Sequence, residues 1–547
     1  MNQSLRTLVV TPATKIEEIL HNFVESDTDL LLIDEDSVVA DPHMELLTDY
    51  PRSASAALVA AEKNGDTLVR QNRIASATSA SHKVTIGNRK FLGVLRVSQK
   101  QRDEVIGALE NAISFNPKGK AIDLVLVALT RAMIKVDAAE AWAAPCGRTS
   151  NPAEREKIKS EIAALNMGRV RLRMANRATD GFFSVFFLRK FSKLGTWLAV
   201  KLGATPNQVT LISFAIGLYS AYNFSQGTFW SIFLGAVLLQ VSIIVDCVDG
   251  ELARYTRQFS QLGAWLDAVT DRVKEYMVFL GLAIGAEKEG RDLWIPAIVM
   301  MLIQTFRHLS DYNYARVVKI QAEEKFSVPV DFMAEFDGII PTEREPKGRR
   351  RFWLGKVIQF PIGERWLAIS GSAVIGGAAF TFTIMPVLAF ISAIWVYRGR
   401  ITRTLTTMPK EFLKQPLIVD QSDLFGLKRT ITTRFSWIEP SVLRALEIGF
   451  LIWIFASADK INIASYMIIF AIVFHHYDNL YRALQNEKKP NWLSALGLFV
   501  GGRILLLGIA AQQDWPLDYL AWYFGVLFLG ISSLQWVLSH KAHKIRK

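Results

Sequence analysis

Cysteine is nearly absent: the chain has two, Cys146 and Cys247, far apart in sequence. That excludes a disulfide framework and any zinc-type cysteine spacing. No basic-then-apolar stretch opens the chain, so no secretory leader is expected and the head is placed in the cytosol. No internal repeat or low-complexity segment stands out. The net charge is +12, but the Lys and Arg residues sit between apolar runs. This excludes nucleic acid as the partner and fits a membrane protein with positive cytosolic loops.

What is present is length and apolar mass. The chain has 547 residues, 50% of them hydrophobic, with a mean hydropathy of +0.20. It is too long for one ordinary domain. Residues 1–145 read as a soluble α/β domain. Leu5–Val10, Asp29–Ile33 and Lys90–Val97 are strand candidates. Ile16–Val24 and Gln101–Ile113 have helical periodicity. Ile122–Ala141 is apolar but carries Asp123, Arg131, Lys135, Asp137 and Glu140, and reads as a buried or amphipathic helix rather than a membrane span. Residues 146–180 are polar and read as a linker or helical neck. Phe182–Val200 mixes Phe182, Phe186 and Phe191 with Arg189, Lys190 and Lys193, the composition of a helix lying at a membrane surface.

Ten apolar segments follow, at 208–224, 229–248, 264–284, 293–312, 366–381, 384–397, 442–457, 461–479, 492–511 and 518–538. Each is about the length a bilayer core requires, the fifth and sixth being short. Ten crossings from a cytosolic head return the C-terminus to the cytosol. The basic connections support this: Lys347 to Arg351, then Arg398, Arg400, Arg403, Lys428 and Arg429, and the tail from Lys541 all fall on that side. Ser225–Thr228 and Gln512–Asp518, on the other side, have no basic residue. The expected fold is therefore a multi-pass α-helical membrane protein with an N-terminal α/β domain.

The chemistry concentrates in one stretch: Asp246-x2-Asp249-Gly250-x2-Ala253-Arg254-x8-Gly263-x3-Asp267-x3-Asp271. Carboxylates at membrane depth are expensive and ask for a function or a partner. Asp246 and Asp249 are three apart and Asp267 and Asp271 four apart, so each pair shares a helix face. Two helices that bring the pairs together create repulsion. Hard divalent cations relieve it, and oxygen-only ligands suit Mg²⁺, Mn²⁺ or Ca²⁺ rather than Zn²⁺. Two such ions can clamp a pyrophosphate. Gly250, Ala253 and Gly263 leave room for a ligand or a neighbouring helix. Arg254 offers a fork of donors to phosphate oxygens. Asp271, last in the series, is the candidate general base.

This pattern resembles the signature of the CDP-alcohol phosphotransferase family at every defined position. The resemblance implies a six-helix catalytic core over about residues 201–400, with 146–200 as linker and interfacial helix, 401–440 as a cytosolic loop and 441–547 as a four-helix extension. It implies two divalent ions, Mg²⁺ or Mn²⁺, held by Asp246, Asp249, Asp267 and Asp271. It places Gly250, Ala253, Arg254 and Gly263 around a CDP moiety, and implies a homodimer. Thr205-Pro-Asn-Gln-Val-Thr210 resembles the opening of the family's first span. Thr205 and Pro206 suit a helix start, and Asn207 either contacts the nucleotide or caps. Asp180, Arg189, Ser192 and Thr196 resemble the surface helix that precedes the core.

The head weakly resembles a sugar-nucleotidyltransferase. Leu30 to Pro42 gives an acidic strand end at Asp34-Glu35-Asp36, where such enzymes hold a metal. The Gly-rich nucleotide loop is missing and Val10 to Lys15 stands in its place, so a degenerate regulatory or scaffolding domain is expected. Arg307, beside His308 in the fourth span, and Arg365, beside Glu364, are acceptor-phosphate candidates. His475, His476, Asp478 and Arg503 read as satisfied polar groups at helix ends. The function expected is transfer of a phospho-alcohol group, of phosphatidyl or inositol-phosphate type, from a CDP-linked donor such as CDP-diacylglycerol or CDP-inositol to an alcohol or polyol-phosphate acceptor, with release of CMP in a bacterial cytoplasmic membrane. Two other classes compete: a catalytically dead membrane scaffold, and a cation or proton transporter that uses the aspartates as its pathway.

Overall fold

The structure, a computed structural model of the chain, describes residues 5–48, 55–70, 72–80, 82–115, 118–176, 180–326, 346–407, 435, 437–484 and 489–545. The chain forms two compact units. One is built mainly from the chain before residue 180, with Arg254–Arg257; the other is built from most of the remainder.

In the first unit, strands β1 (Arg6–Val10), β2 (Leu30–Asp34), β3 (Ser37–Val38), β4 (Ser55–Ala61), β5 (Thr67–Arg70), β6 (Arg73–Ala77), β7 (Arg89–Val97), β8 (Val136–Glu140) and β9 (Gly147–Arg148) alternate with helices α1 (Ile16–Glu25), α2 (Asp41–Thr48), α3 (Arg102–Ser114) and α4 (Ala121–Arg131). The main sheet has the order β1-β2-β7-β4-β8-β6-β5. β1 and β2 are parallel, as are β4 and β8, while β7 runs antiparallel to β2 and β4. Successive side chains on a strand face opposite ways. Leu30 and Leu32 accordingly join the core made with α1, α3 and α4, while Leu31 joins the core on the other face with Leu47 of α2. Asp29, at the mouth of β2, is held by Arg96 Nε and Nη2 at 2.9 and 2.7 Å.

The expected helix over 122–141 is corrected. The helix ends at Arg131, Met133 takes a left-handed φ of 59°, and Val136–Glu140 pairs parallel to β4 as β8. Strand pairing there satisfies the backbone better than another helical turn. No glycine announces the stop. The 146–180 neck is largely helical. Helices α5 (Pro152–Ala163) and α6 (Met167–Met174) start at Asn151 and Asn166, whose side chains accept from the Ala153 and Arg169 N–H groups.

The second unit is helical: α7 (Arg189–Lys201), α8 (Pro206–Phe224), α9 (Phe229–Thr256), α10 (Gln261–Lys288), α11 (Trp294–Phe326), α12 (Pro346–Ile358), α13 (Ile362–Thr407), α14 (Glu439–Ser457), α15 (Ile463–Leu484), α16 (Asn491–Leu496), α17 (Phe499–Gln512), α18 (Leu517–Gly525) and α19 (Ser532–Ile545). Among the described residues, five helical stretches are long and apolar enough to cross a membrane: Phe229–Thr256, Ile362–Thr406, Glu439–Ser457, Asn491–Gln512 and Leu517–Ser539. The segments expected at 208–224, 264–284, 293–312 and 461–479 are also helical, but they are richer in polar residues. Those residues turn inward: Ser213, Lys274, Glu275, Gln304 and Asp478 are each 0–1% exposed. Lys428 and Arg429, and the charged side chains of the tail from Lys541, lie outside the described residues.

The fifth and sixth expected spans share α13, and the chain reverses between them. Gly377 has φ 68° and Gly376 is also non-helical. Ser372 Oγ donates to Thr381 Oγ1 at 3.0 Å, whereas an unbroken helix separates residues nine apart by about 13 Å. Helices α8 and α10 approach closely because Gly281 has no side chain; a Cβ there would overlap the Ala221 carbonyl oxygen. Phe182, Phe186, Phe191 and Leu194 are exposed, while Arg189, Ser192 and Thr196 are buried.

Candidate active site

Helix α8 opens as a capping box. Thr205 Oγ1 accepts from Gln208 N at 3.4 Å, and Gln208 Oε1 accepts from Thr205 N at 2.8 Å. That start sets Asn207, Thr210 and Ser213 on the first turns of the helix. Helix α10 begins at Ser260, whose hydroxyl accepts from Gly263 N at 2.9 Å. A Cβ on Gly263 would lie 2.8 Å from both Asn207 Oδ1 and Ser260 Oγ. Asn207 and Gly263 are therefore neighbours, and Gly263 is required by the close approach.

Asp246 of α9 and Asp267 and Asp271 of α10 converge, with one carboxylate oxygen from each lying within 4.8 Å of the others. Asp249 lies outside this trio but close enough to interact electrostatically with Asp267, Asp246 and Asp271. Its Oδ2 accepts from Thr210 Oγ1 at 2.6 Å, and it is 5% exposed. Three of the four aspartates share one oxygen cluster, and the fourth, beside them, is also fastened to α8 through Thr210.

Lys274 is a site residue missed in the sequence. It is fully buried. Its Nζ donates to Asp246 Oδ1 at 2.6 Å and to Ser213 Oγ at 2.9 Å, and lies 3.0 Å from Asp271 Oδ1. Ser213 Oγ also lies 3.2 Å from Asp246 Oδ1. A lysine inside an apolar helix, one turn after the last aspartate, was the available signal. Asp271 Oδ1 is buried without a well-directed hydrogen bond. The three carboxylates, one of them with an under-satisfied oxygen, form an oxygen-donor set that fits a hard divalent cation.

Glu251, between Gly250 and Ala253 in the motif, was also missed. Its carboxylate accepts from Arg189 Nη1 at 2.7 Å, Ser192 Oγ at 2.7 Å and Thr196 Oγ1 at 2.6 Å. Arg189 pairs with Asp180 as well. Three of the four residues that resembled the family's surface helix therefore donate to one motif carboxylate, and the fourth, Asp180, braces Arg189, which pins α7 to α9. Arg254 Nε donates to the carbonyl of Ala175. Gly250 and Ala253 lie on the same helix as Asp246 and Asp249, at its last turns.

The two acceptor candidates separate. Arg365 is 2% exposed and closed in a bidentate pair with Glu275, with Nε–Oε1 at 2.7 Å and Nη2–Oε2 at 2.9 Å. It is not presented to a ligand. A buried guanidinium needs this compensation, and Glu275 rather than the neighbouring Glu364 supplies it. Glu364 instead accepts from Phe183 N. Arg307 donates to the Gln359 carbonyl and lies 3.9 Å from Asp311, and its Nη1 is buried without a hydrogen-bond partner.

In the head, the acidic strand end is filled by cations. Lys120 Nζ lies 2.6 Å from Asp36 Oδ2 and 3.3 Å from Asp34 Oδ2, and Arg148 bridges Asp34 and Asp123. Burial pushes Asp34 up, but the Asp36 N–H and the Arg148 guanidinium outweigh it, leaving the carboxyl below its ordinary range.

Residues 203–339 match the CDP-alcohol phosphatidyltransferase family and carry its domain. Residues 365–546 match a second family, described as a family of unknown function (DUF5941). That second match takes in α13 as well as the last four expected spans. Among curated relatives, a bifunctional IPC transferase and DIPP synthase of Aquifex aeolicus is 38% identical over 106 residues, 19% of this chain and 23% of the relative. An archaetidylinositol phosphate synthase of Pyrococcus horikoshii is 38% identical over 93 residues, 17% of this chain and 47% of the relative. A phosphatidylinositol phosphate synthase of Streptomyces avermitilis is 33% identical over 132 residues, 24% of this chain and 52% of the relative. The chain thus spans about half the length of these relatives or less.

Proposed function

We propose that this integral membrane protein, with its CDP-alcohol phosphatidyltransferase domain at 203–339, transfers a phospho-alcohol group from a CDP-linked donor to an alcohol acceptor and releases CMP. The observation that carries the reading is the meeting of Asp246, Asp267 and Asp271 within 4.8 Å, inside the matched domain. Asp246, Asp249, Asp267 and Asp271 would hold two divalent ions, Mg²⁺ or Mn²⁺, which neutralise charge on the pyrophosphate and the leaving CMP.

The chain's own residues supply the rest. Thr210 orients Asp249, and Lys274 with Ser213 orients Asp246. Asn207 and Gly263 form the floor for the cytidine side, with Gly250, Ala253 and Arg254 on the adjoining turns of α9. The acceptor hydroxyl attacks the phosphorus that bears the transferred alcohol and gives its proton to Asp271; the bond from that phosphorus to CMP breaks. Arg307, with its unpartnered Nη1, is the acceptor-phosphate candidate.

The printed names of the relatives are those of inositol phosphate, IPC and DIPP synthesis. They favour CDP-diacylglycerol or CDP-inositol as donor and a polyol phosphate or lipid alcohol as acceptor. We further infer ten crossings, a homodimer and both termini in the cytosol of a bacterial cell. The chain reversal in α13 and the inward polar faces of α8, α10, α11 and α15 support the crossing count. We read 146–200, 201–400, 401–440 and 441–547 as neck, core, cytosolic loop and extension. The head is read as a degenerate nucleotidyltransferase, because Lys120 and Arg148 already neutralise the acidic strand end.

The test is CMP release by purified protein in detergent with Mg²⁺ or Mn²⁺, using both donors against polyols, polyol phosphates and lipid alcohols. Acceptor-dependent release abolished by EDTA supports the transferase. No release from any pair while the metal site is occupied favours the scaffold reading.

A further inference from the structure

Three helices share a buried chain of hydrogen bonds that starts beside Asp271 and ends on a backbone carbonyl. Arg272 Nη1 lies 2.7 Å from His308 Nε2, the nearer of the two ring nitrogens. His308 Nδ1 lies 2.9 Å from Tyr477 Oη. Tyr477 Oη lies 3.0 Å from Tyr276 Oη, which lies 3.1 Å from Thr305 Oγ1. Thr305 Oγ1 donates to the Met301 carbonyl at 2.7 Å. Tyr276, Tyr477 and Thr305 are each 1% exposed, and His308 is 7% exposed.

Every proton in that chain has a fixed place. A guanidinium has no lone pair and can only donate. His308 Nε2 is therefore the acceptor, and the proton of the neutral ring sits on Nδ1, facing Tyr477. Tyr477 then accepts from the ring and donates to Tyr276, which donates to Thr305. A ring in the other tautomer would present an N–H to Arg272, and the pair would separate. Tyr477 is the group that prevents this.

Tyr477 belongs to α15, within the region that matches the family of unknown function; Arg272, Tyr276, Thr305 and His308 all belong to the matched transferase domain. The same helix fastens α10 at a second point, where Tyr466 Oη donates to the Tyr276 carbonyl at 2.7 Å. It meets α11 at a third, where the Tyr312 and Tyr481 hydroxyls are 3.3 Å apart. Arg272 also reaches Glu275 Oε2 at 3.3 Å, so its charge is held between His308 and Glu275. Released, that charge is free to swing onto the carboxylates one residue away.

We propose that α15 is a working part of the transferase site, and that Tyr477 is a positioning residue which holds His308 in the tautomer that restrains Arg272 beside Asp271. The C-terminal region thereby contributes directly to the catalytic domain. This rests on the transferase reading above.

The test compares Tyr477→Phe, His308→Gln and His308→Leu in the full-length protein, all purified as the folded fraction by size exclusion. His308→Gln keeps an acceptor for Arg272 and a donor for Tyr477; His308→Leu keeps neither. Tyr477→Phe and His308→Leu should lower kcat for CMP release about tenfold or more, as expected for a lost buried charge-assisted bond, with KM for the CDP donor unchanged. His308→Gln should retain the larger share of kcat. Mn²⁺ affinity at the aspartate cluster, read by electron paramagnetic resonance, should weaken in the same order. Wild-type kcat and Mn²⁺ affinity in both Tyr477→Phe and His308→Leu would overturn the proposal. If wild-type protein releases no CMP from any donor, the transferase reading fails instead; a Mn²⁺ affinity weaker in His308→Leu than in His308→Gln then still supports the positioning role, and equal affinities refute it.

Discussion

Lys274 Nζ sits 2.6 Å from Asp246 Oδ1 with no exposure to solvent, so the carboxylate cluster carries its own internal cation. Without it, Asp246 and Asp271 would face each other uncompensated until a metal arrives.

Lys274→Met should therefore make folding stability depend more strongly on metal. In EDTA the variant should melt lower than wild type, since removing one partner of a buried pair costs about 3–5 kcal/mol. Mn²⁺ should raise its Tm by more than it raises the wild-type Tm. Thermal melting in detergent with and without Mn²⁺ checks this, and equal metal shifts would contradict the role given to Lys274.

The Arg365–Glu275 pair is buried and bidentate. Arg365→Met alone should destabilise by up to about 3–5 kcal/mol, because Glu275 loses its bidentate partner and keeps only the 3.3 Å contact from Arg272. Arg365→Met combined with Glu275→Leu should recover part of that loss, the remainder reflecting the contact Arg272 loses with Glu275. A double-mutant cycle by thermal melting measures the coupling. Additive losses would show that the two side chains do not depend on each other.

Gly263→Ala places a methyl 2.8 Å from Asn207 Oδ1 and Ser260 Oγ. Overpacking of this kind costs about 1–3 kcal/mol, and here it displaces the neighbours proposed to receive the cytidine. KM for the CDP donor should rise about tenfold or more, and Asn207→Ala should raise it in the same direction. A rise confined to KM for the acceptor would move the nucleotide site elsewhere.

His43 in the head is fully buried with both ring nitrogens unpartnered, and burial lowers its pKa from 6.5 to about 4. Between those values the unfolded chain binds a proton that the folded one refuses. The stability His43 contributes is complete above pH 6.5 and drains away as pH falls toward 4, by about 3 kcal/mol in all. Protection of the Asp41–Thr48 amides, taken relative to the intrinsic exchange rate at each pH, should show an excess fall from pH 7 to pH 5. His43→Leu should remove that excess. If the excess persists in His43→Leu, another group carries it.

The site was more legible in the sequence than the head domain. Four carboxylates with helical spacing, a capping box at Thr205 and a close-approach glycine all act within a turn or two, so their spacing survives folding. The head's β4, β5, β6 and β8 were missed. The alanine-rich Ser55–Ala61 has weak strand character and is held as β4 by its neighbours β7 and β8. The helix-to-strand switch at Met133 has no glycine to announce it. Lys274, Arg272 and Tyr477 were illegible for another reason. Each acquires its role from partners on other helices, as Tyr477 does across 201 residues from Tyr276. The anchoring of Asp249 likewise depends on Thr210 of a different helix.

The most direct single measurement is CMP release by Asp271→Asn, run beside wild type with Mn²⁺ binding recorded on the same samples. Asparagine keeps the size of the side chain and removes its basicity. A folded variant that loses acceptor-dependent CMP release by about 100-fold or more, the scale of a general base, while wild type turns over only with metal, is the expected result. Unchanged turnover in a folded Asp271→Asn protein would contradict the placement of the reaction at Asp246, Asp267 and Asp271.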